Sequence, residues 1–241
     1  MSKSDFGKHL QSFTSVFKQM LLARWRSLLT LLIGIYLPLQ VFALLALEVR
    51  KNQGGFPWDL SVLQAIHARE QPQLNVFAAT LTKFGQFQGI FPLIAAVALL
   101  LFLRRRWRAL AYWIVTQQGS TIINQNAKLV IHRVRPQLWE SSYPHPSDYS
   151  FPSGHAMASM TLVAALIILT WGSRWCWLTV IFGSVFAVAI AWTRLYLGVH
   201  FPSDILGGWM LSIAWTIAVS LLLKPNLSKV NTATNAPRQP S

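Results

Sequence analysis

Residues 27–48 read SLLTLLIGIYLPLQVFALLALE, and no charge appears in that run before Glu48. A bilayer's hydrocarbon core takes about 20 apolar residues in helix. Backbone amides in lipid must be satisfied within their own segment, so a run of this kind reads as a spanning helix. Five further stretches read the same way: 84–103, 109–127, 155–172, 176–193 and 204–223. The expected fold class is therefore all-α, a six-helix transmembrane bundle. The third stretch differs from the rest. Its second half carries Gln117, Gln118, Ser120, Thr121, Asn124, Gln125 and Asn126, which suits a span turned toward other helices or a wet cavity.

Composition agrees with this class. A chain that is 53% hydrophobic and only 12% charged, with mean hydropathy +0.40, lies outside the range of soluble domains. The net charge of +14 raises the question of nucleic acid. The positive residues flank the apolar blocks, however, where they oppose anionic head groups, so membrane lipid and not nucleic acid is the expected partner. A lone cysteine, Cys176, rules out an intrachain disulfide.

Ahead of the first span, Phe6, Leu10, Phe13, Phe17, Met20 and Leu21 recur at helical spacing opposite Lys8, Gln11 and Lys18. That is the pattern of an amphipathic interfacial helix over 1–26, with a frayed polar tail as the alternative. The first run ends in Glu48, Val49 and Arg50 without a small-residue cleavage pattern, so it reads as a retained anchor. A transmembrane domain then covers 27–224, and the polar stretch 225–241 reads as a disordered tail.

Lys and Arg cluster before the first span, after the second (Arg104, Arg105, Arg106, Arg108), after the fourth (Arg174) and after the sixth (Lys224, Lys229, Arg238). By the positive-inside rule this expects a multi-pass protein of the cell (inner) membrane with both termini cytoplasmic. Residues 49–83, 128–154 and 194–203 then share the extracytoplasmic face.

Three short segments on that face hold the ionisable residues that composition does not explain. Lys128, six residues, Arg135 and Pro136 form the first. Were the helix to continue, Lys128, His132 and Arg135 would share one face; plain snorkelling of juxtamembrane cations is the alternative. Pro152, Ser153, Gly154 and His155 form the second, at a helix start where free amides bind anions; an ordinary Ser N-cap beside an incidental histidine is the other reading. The third runs Thr193, Arg194, five residues, His200, three residues, Asp204. A carboxylate four residues from an imidazole can orient it and leave its other nitrogen nucleophilic, or Asp204 serves only the helix N-terminus. Two spans separate the second segment from the third, so both lie on one side whichever way the chain faces.

These segments, in this order, resemble the tripartite signature of the type 2 phosphatidic acid phosphatase superfamily, over about residues 109–210. Thr193 stands where that family usually has Ser, which keeps the hydroxyl. The resemblance implies an integral membrane lipid phosphatase without metal or cofactor. His200 would attack phosphorus, with Asp204 orienting it, and His155 would act as acid and then base. Lys128, Arg135, Arg194, Ser153 and Gly154 would bind the phosphate. The substrates it implies are lipid phosphates: undecaprenyl diphosphate, placed first, then phosphatidylglycerophosphate, phosphatidic acid and lysolipid analogues. The loop 137–152 and the segment 49–83 would shape access. A lipid phosphotransferase using the same site, or a nonenzymatic phospholipid-binding membrane protein, are the alternatives. Oligomeric state is not legible.

Overall fold

A computed structural model describes residue 25 and residues 27–139, 143–144 and 146–226. The expected interfacial helix over 1–26, Trp25 aside, lies outside the described residues, as does the expected tail from 227 onward. Eight α-helices are present among the described residues: α1 Ser27–Lys51, α2 Pro57–His67, α3 Pro72–Leu81, α4 Phe87–Leu103, α5 Trp107–Ile131, α6 Gly154–Thr170, α7 Trp175–Tyr196 and α8 Pro202–Leu223.

The apolar run that opened the reading is α1. It widens into a π-helical turn over Leu32–Tyr36, immediately before Pro38. Proline offers no N–H to the carbonyl four residues back and its ring crowds that turn, so the helix relaxes there instead of breaking. Gly34 lies in the widened turn, where a Cβ would come within 2.7 Å of Ile217 Cδ1; its absence lets α1 lie close against α8.

Helices fall on all six segments expected to span, but the six-span bundle needs correction. By length and composition three helices, α1, α7 and α8, can cross a membrane. A fourth arises if Pro72–Gly85 and Phe87–Leu103 are counted as one span bent by 42°. α6 has only 17 residues, and α5, though 25 long, carries the polar stripe that lowers its hydropathy. The segment 49–83 is built, with α2, α3 and a 3₁₀ turn at Thr82–Gly85. A multi-pass helical membrane protein is what these helices make.

α6 is the central element, packed by α5, α7 and α8. Tyr112, Trp113, Leu162, Ala165 and Val219 close the inner part of this core. Large apolar side chains such as Phe182, Val185, Leu103 and Leu222 face outward, which a soluble protein would not tolerate over so wide an area. With lipid outside as apolar as the core, close packing and interhelical hydrogen bonds must hold the helices together. Ser120 and Thr161 hydroxyls pair at 2.8 Å between α5 and α6, and Trp215 Nε1 donates to the Thr116 carbonyl at 3.0 Å between α8 and α5. Gly119 sits under that indole, where a Cβ would meet Trp215 Cζ2 at 2.2 Å.

Candidate active site

The site is assembled where α5 ends and where α6 and α8 begin. Lys128 lies in the last turn of α5, and the helix stops at Ile131. His132 takes the left-handed conformation, φ 56°. The expected single face of Lys128, His132 and Arg135 therefore does not form. The left-handed residue turns the chain, His132 packs edge-on to Tyr149, and Arg133 and Arg135 point to different places.

Arg133 is fully buried. Its guanidinium donates to Asp204 Oδ1 at 2.6 Å, Ser203 Oγ at 2.7 Å and Asp59 Oδ2 at 3.1 Å, and it stacks 4.2 Å from the Phe201 ring centroid. Both carboxylates it joins are helix caps of one design. In Phe56-Pro57-Trp58-Asp59 and again in Phe201-Pro202-Ser203-Asp204, proline opens the helix and the aspartate reaches back to the phenylalanine N–H, at 3.1 Å and 2.8 Å. The N-termini of α2 and α8 are thus tied through one arginine.

His200 stands two residues before α8, outside the helix. The contact with Asp204 forms nonetheless, because the capping carboxylate leans back: Nδ1 lies 3.2 Å from Asp204 Oδ2. Ser150 Oγ also donates to that oxygen. On the other side of the ring, Nε2 lies 3.0 Å from Arg135 Nη1. Arginine can only donate, so Nε2 is the acceptor and Nδ1 carries the proton given to Asp204. Burial, then the cations Arg135, Arg194 and Lys128, then His155, hold the His200 pKa well below its ordinary 6.5. It is neutral at pH 7, with its lone pair on the cavity side.

α6 starts at Gly154 after an extended Ser153 and a cis Phe151–Pro152 peptide. Ser153 N donates to the Asp204 carbonyl at 3.1 Å. Gly207 and Gly208 allow this approach, since a Cβ on Gly207 would strike the Phe151 ring at 2.6 Å and one on Gly208 would lie 3.0 Å from the Ser153 carbonyl. Asn124 Nδ2 bonds the Pro152 carbonyl at 3.1 Å, fixing the turn to α5.

A cavity of about 370 Å³ opens at this junction, lined by Lys128, Arg135, Gly154, His155, Arg194 and His200. Six of the eight residues singled out from the sequence meet there. Ser153 and Asp204 do not line it: both are fully buried, and the Ser153 hydroxyl has no hydrogen-bond partner. His155 Nε2 is likewise buried without a partner. Arg194 Nη1 is steadied by Thr82 Oγ1 at 2.8 Å.

Sequence reasoning missed Arg133, Asp59, Ser150 and Asp148, and named Asn124 only within the polar stretch of α5. The repeated Phe-Pro-x-Asp string was a usable signal for Asp59. Nothing in Arg133-Val134-Arg135 told which arginine turns inward. Asp148 joins Lys128 and Arg135 through its two carboxylate oxygens. Burial raises its pKa, but those two cations outweigh that effect and hold it at about 2. No group of three or more His, Cys, Asp or Glu able to hold a metal occurs among the described residues.

The fold and the cavity define the class: a helical membrane protein with a cavity lined by Lys128, Arg135 and Arg194 beside the His200–Asp204 pair. Residues 107–227 match the PAP2 superfamily, half of the chain, and the protein belongs to that superfamily, in its membrane lipid phosphatase branch. The undecaprenyl-diphosphatase of Sulfolobus acidocaldarius is 28% identical over 192 residues, 77% of this chain and 89% of that protein. Phosphatidylglycerophosphatase B of Bacillus subtilis is 32% identical over 161 residues, 64% of this chain and 78% of its own. The crystal structure of the first transmembrane PAP2 type phosphatidylglycerolphosphate phosphatase from Bacillus subtilis aligns with a TM-score of 0.67 at 27% identity, covering 85% of this chain and 100% of that one.

Proposed function

We infer that this protein removes a phosphoryl group from a membrane lipid in two displacements. The observation that carries the reading is His200: Nδ1 is held by Asp204 and Nε2 is turned to a cavity lined by three cations. Nε2 attacks phosphorus in line with the lipid oxygen. The P–O bond breaks, and the imidazole becomes an N-phosphorylated cation stabilised by Asp204. His155 gives a proton to the leaving alkoxide, and in the second step takes one from the water that releases phosphate. Lys128, Arg135, Arg194 and the Gly154 amide hold the equatorial oxygens, where charge must be stabilised. These side chains supply the charge that a metal ion supplies elsewhere, so turnover continues in EDTA.

The same reading takes both termini as cytoplasmic and the cavity as opening at the extracytoplasmic head-group level. Beyond the cations, the cavity runs along Gln125, Thr121 and Gln117 of α5, opposite Phe87, Ile90 and Phe91 of α4. From Lys128 to Gln117 is eleven residues, about 16 Å of helix. With one wall polar and the facing wall apolar, the cavity suits a lipid phosphate held by its head group, of which the phosphatidylglycerophosphate in the Bacillus relatives' names is one candidate and an isoprenoid diphosphate another.

The test is phosphate release by the purified full-length protein from phosphatidylglycerophosphate, phosphatidic acid and undecaprenyl diphosphate, in EDTA. An alkaline quench preserves N-linked phosphate and should trap label on wild-type protein. His200→Ala should abolish the label and slow release at least about a hundredfold, the scale of losing one strong oxyanion donor. Full turnover by His200→Ala would sink the mechanism.

A further inference from the structure

Asp148 belongs to none of the motifs, yet it sits at the centre of the cavity's charge. One carboxylate oxygen takes Lys128 Nζ and the other takes Arg135 Nη2, while its backbone carbonyl accepts from Arg135 Nε at 3.0 Å. Arg135 Nη1 is spent on the Val199 carbonyl at 2.7 Å and on His200 Nε2 at 3.0 Å. A guanidinium has five N–H bonds. With one used from Nε, two from Nη1 and one from Nη2, a single N–H is left for a substrate. Two of the cations assigned to phosphate are therefore already holding an anion. A carboxylate presents two oxygens to an arginine much as one edge of a phosphate does. The same arrangement covers the nucleophile, because the Nε2 lone pair is accepting from Arg135.

We propose that Asp148 is an internal competitor for the phosphate clamp, and that the substrate's phosphoryl group displaces it from Lys128 and Arg135 and thereby draws Arg135 off His200 Nε2. The proposal rests on the reading of this cavity as a phosphoryl-transfer site. Asp148 is suited to leaving: its side chain is 55% exposed and hydrates when released, whereas Asp59 and Asp204, at 0%, have no solvent to turn to. Two cations keep it ionised far below neutral pH, so the competition persists under working conditions. The nucleophile is then uncovered only when a phosphoryl group is seated in front of it, and the same carboxylate helps expel the phosphate product.

Binding of orthovanadate to the purified full-length protein reads the clamp whether or not turnover occurs. If Asp148 occupies the clamp in nine molecules of ten, removing it tightens the apparent affinity about tenfold. Asp148→Asn and Asp148→Ser should both bind vanadate tighter by about that factor and show stronger product inhibition by inorganic phosphate. A purely structural Asp148 predicts the opposite, since Lys128 and Arg135 would lose their orientation; unchanged or weaker vanadate binding in the variants overturns the proposal. Hydrogen exchange on the wild type needs no variant. Vanadate should speed exchange of the amides at 147–150 while slowing it around His155 and His200, and slower exchange at 147–150 would refute displacement. Should the wild type release no phosphate from any lipid, the hydrolase reading fails separately, and the vanadate results still decide the fate of Asp148.

Discussion

Replacing Arg133 by Met tests the framework behind the nucleophile. The substitution keeps a long apolar stem against Phe201 and Phe56 and removes only the charge and its donors. Arg133, Asp59 and Asp204 are all fully buried, so solvent screens nothing. Removing one partner of a buried ion pair costs about 3–5 kcal/mol, because a charge is left uncompensated. Here two carboxylates lose their common cation. Their remaining partners, the Phe56 N–H and the Ser203 N–H and hydroxyl for Asp59, and Phe201 N, Ser150 and His200 for Asp204, supply hydrogen bonds without charge. The expected loss is thus near the top of the range, about 5 kcal/mol. On the scaling for domains of 150–250 residues this lowers the midpoint by about 10–20 °C. Thermal unfolding in detergent, followed by tryptophan fluorescence, measures it. Adding Asp59→Asn to Arg133→Met removes one stranded charge and should restore at least about 2 kcal/mol, an interaction a double-mutant cycle isolates. A single variant within about 1 kcal/mol of wild type, or a double variant no better than the single, would mean the buried triad does not hold α2 to α8.

Stability should also depend on pH through His200. Its pKa in the fold lies well below the unfolded 6.5, so the unfolded chain binds the proton first. Its contribution is intact above 6.5 and is lost as pH falls below that value, so the midpoint should drop from pH 7 to pH 5 and drop less in His200→Asn. Asp148 works in a lower window, between 3.8 and about 2, and leaves the pH 5–7 slope alone. Gly119→Ala should cost about 1–3 kcal/mol by forcing the Trp215 indole off the Thr116 carbonyl, visible as a lower midpoint and a shifted tryptophan emission. If Gly119→Ala unfolds like wild type, α5 and α8 are not packed through that contact.

Much of this protein was legible because its signals are local. Chain solvation in lipid is decided residue by residue, so apolar runs place helices over 27–48, 176–193 and 204–223 without knowledge of their neighbours. Charge and imidazole at fixed spacing marked Lys128, Arg135, His155, Arg194, His200 and Asp204, and the order of spans put them on one side. Where the reading erred, the cause was a backbone choice or a competing partner. A left-handed His132 ended α5 and divided the arginines between a buried framework and the cavity.

The sequence by itself determined an all-α membrane chain and which residue types converge at one end of it, because hydropathy and spacing act along the chain. Only the tertiary structure decided that Asp59 and Asp204 share Arg133, that His200 carries its proton on Nδ1, and that Asp148 lies in the clamp. Each of these depends on a direction in space and on which acceptor a donor meets first. Such choices are made between residues separated by 13 to more than 70 positions in the chain, where no pattern of spacing can register them.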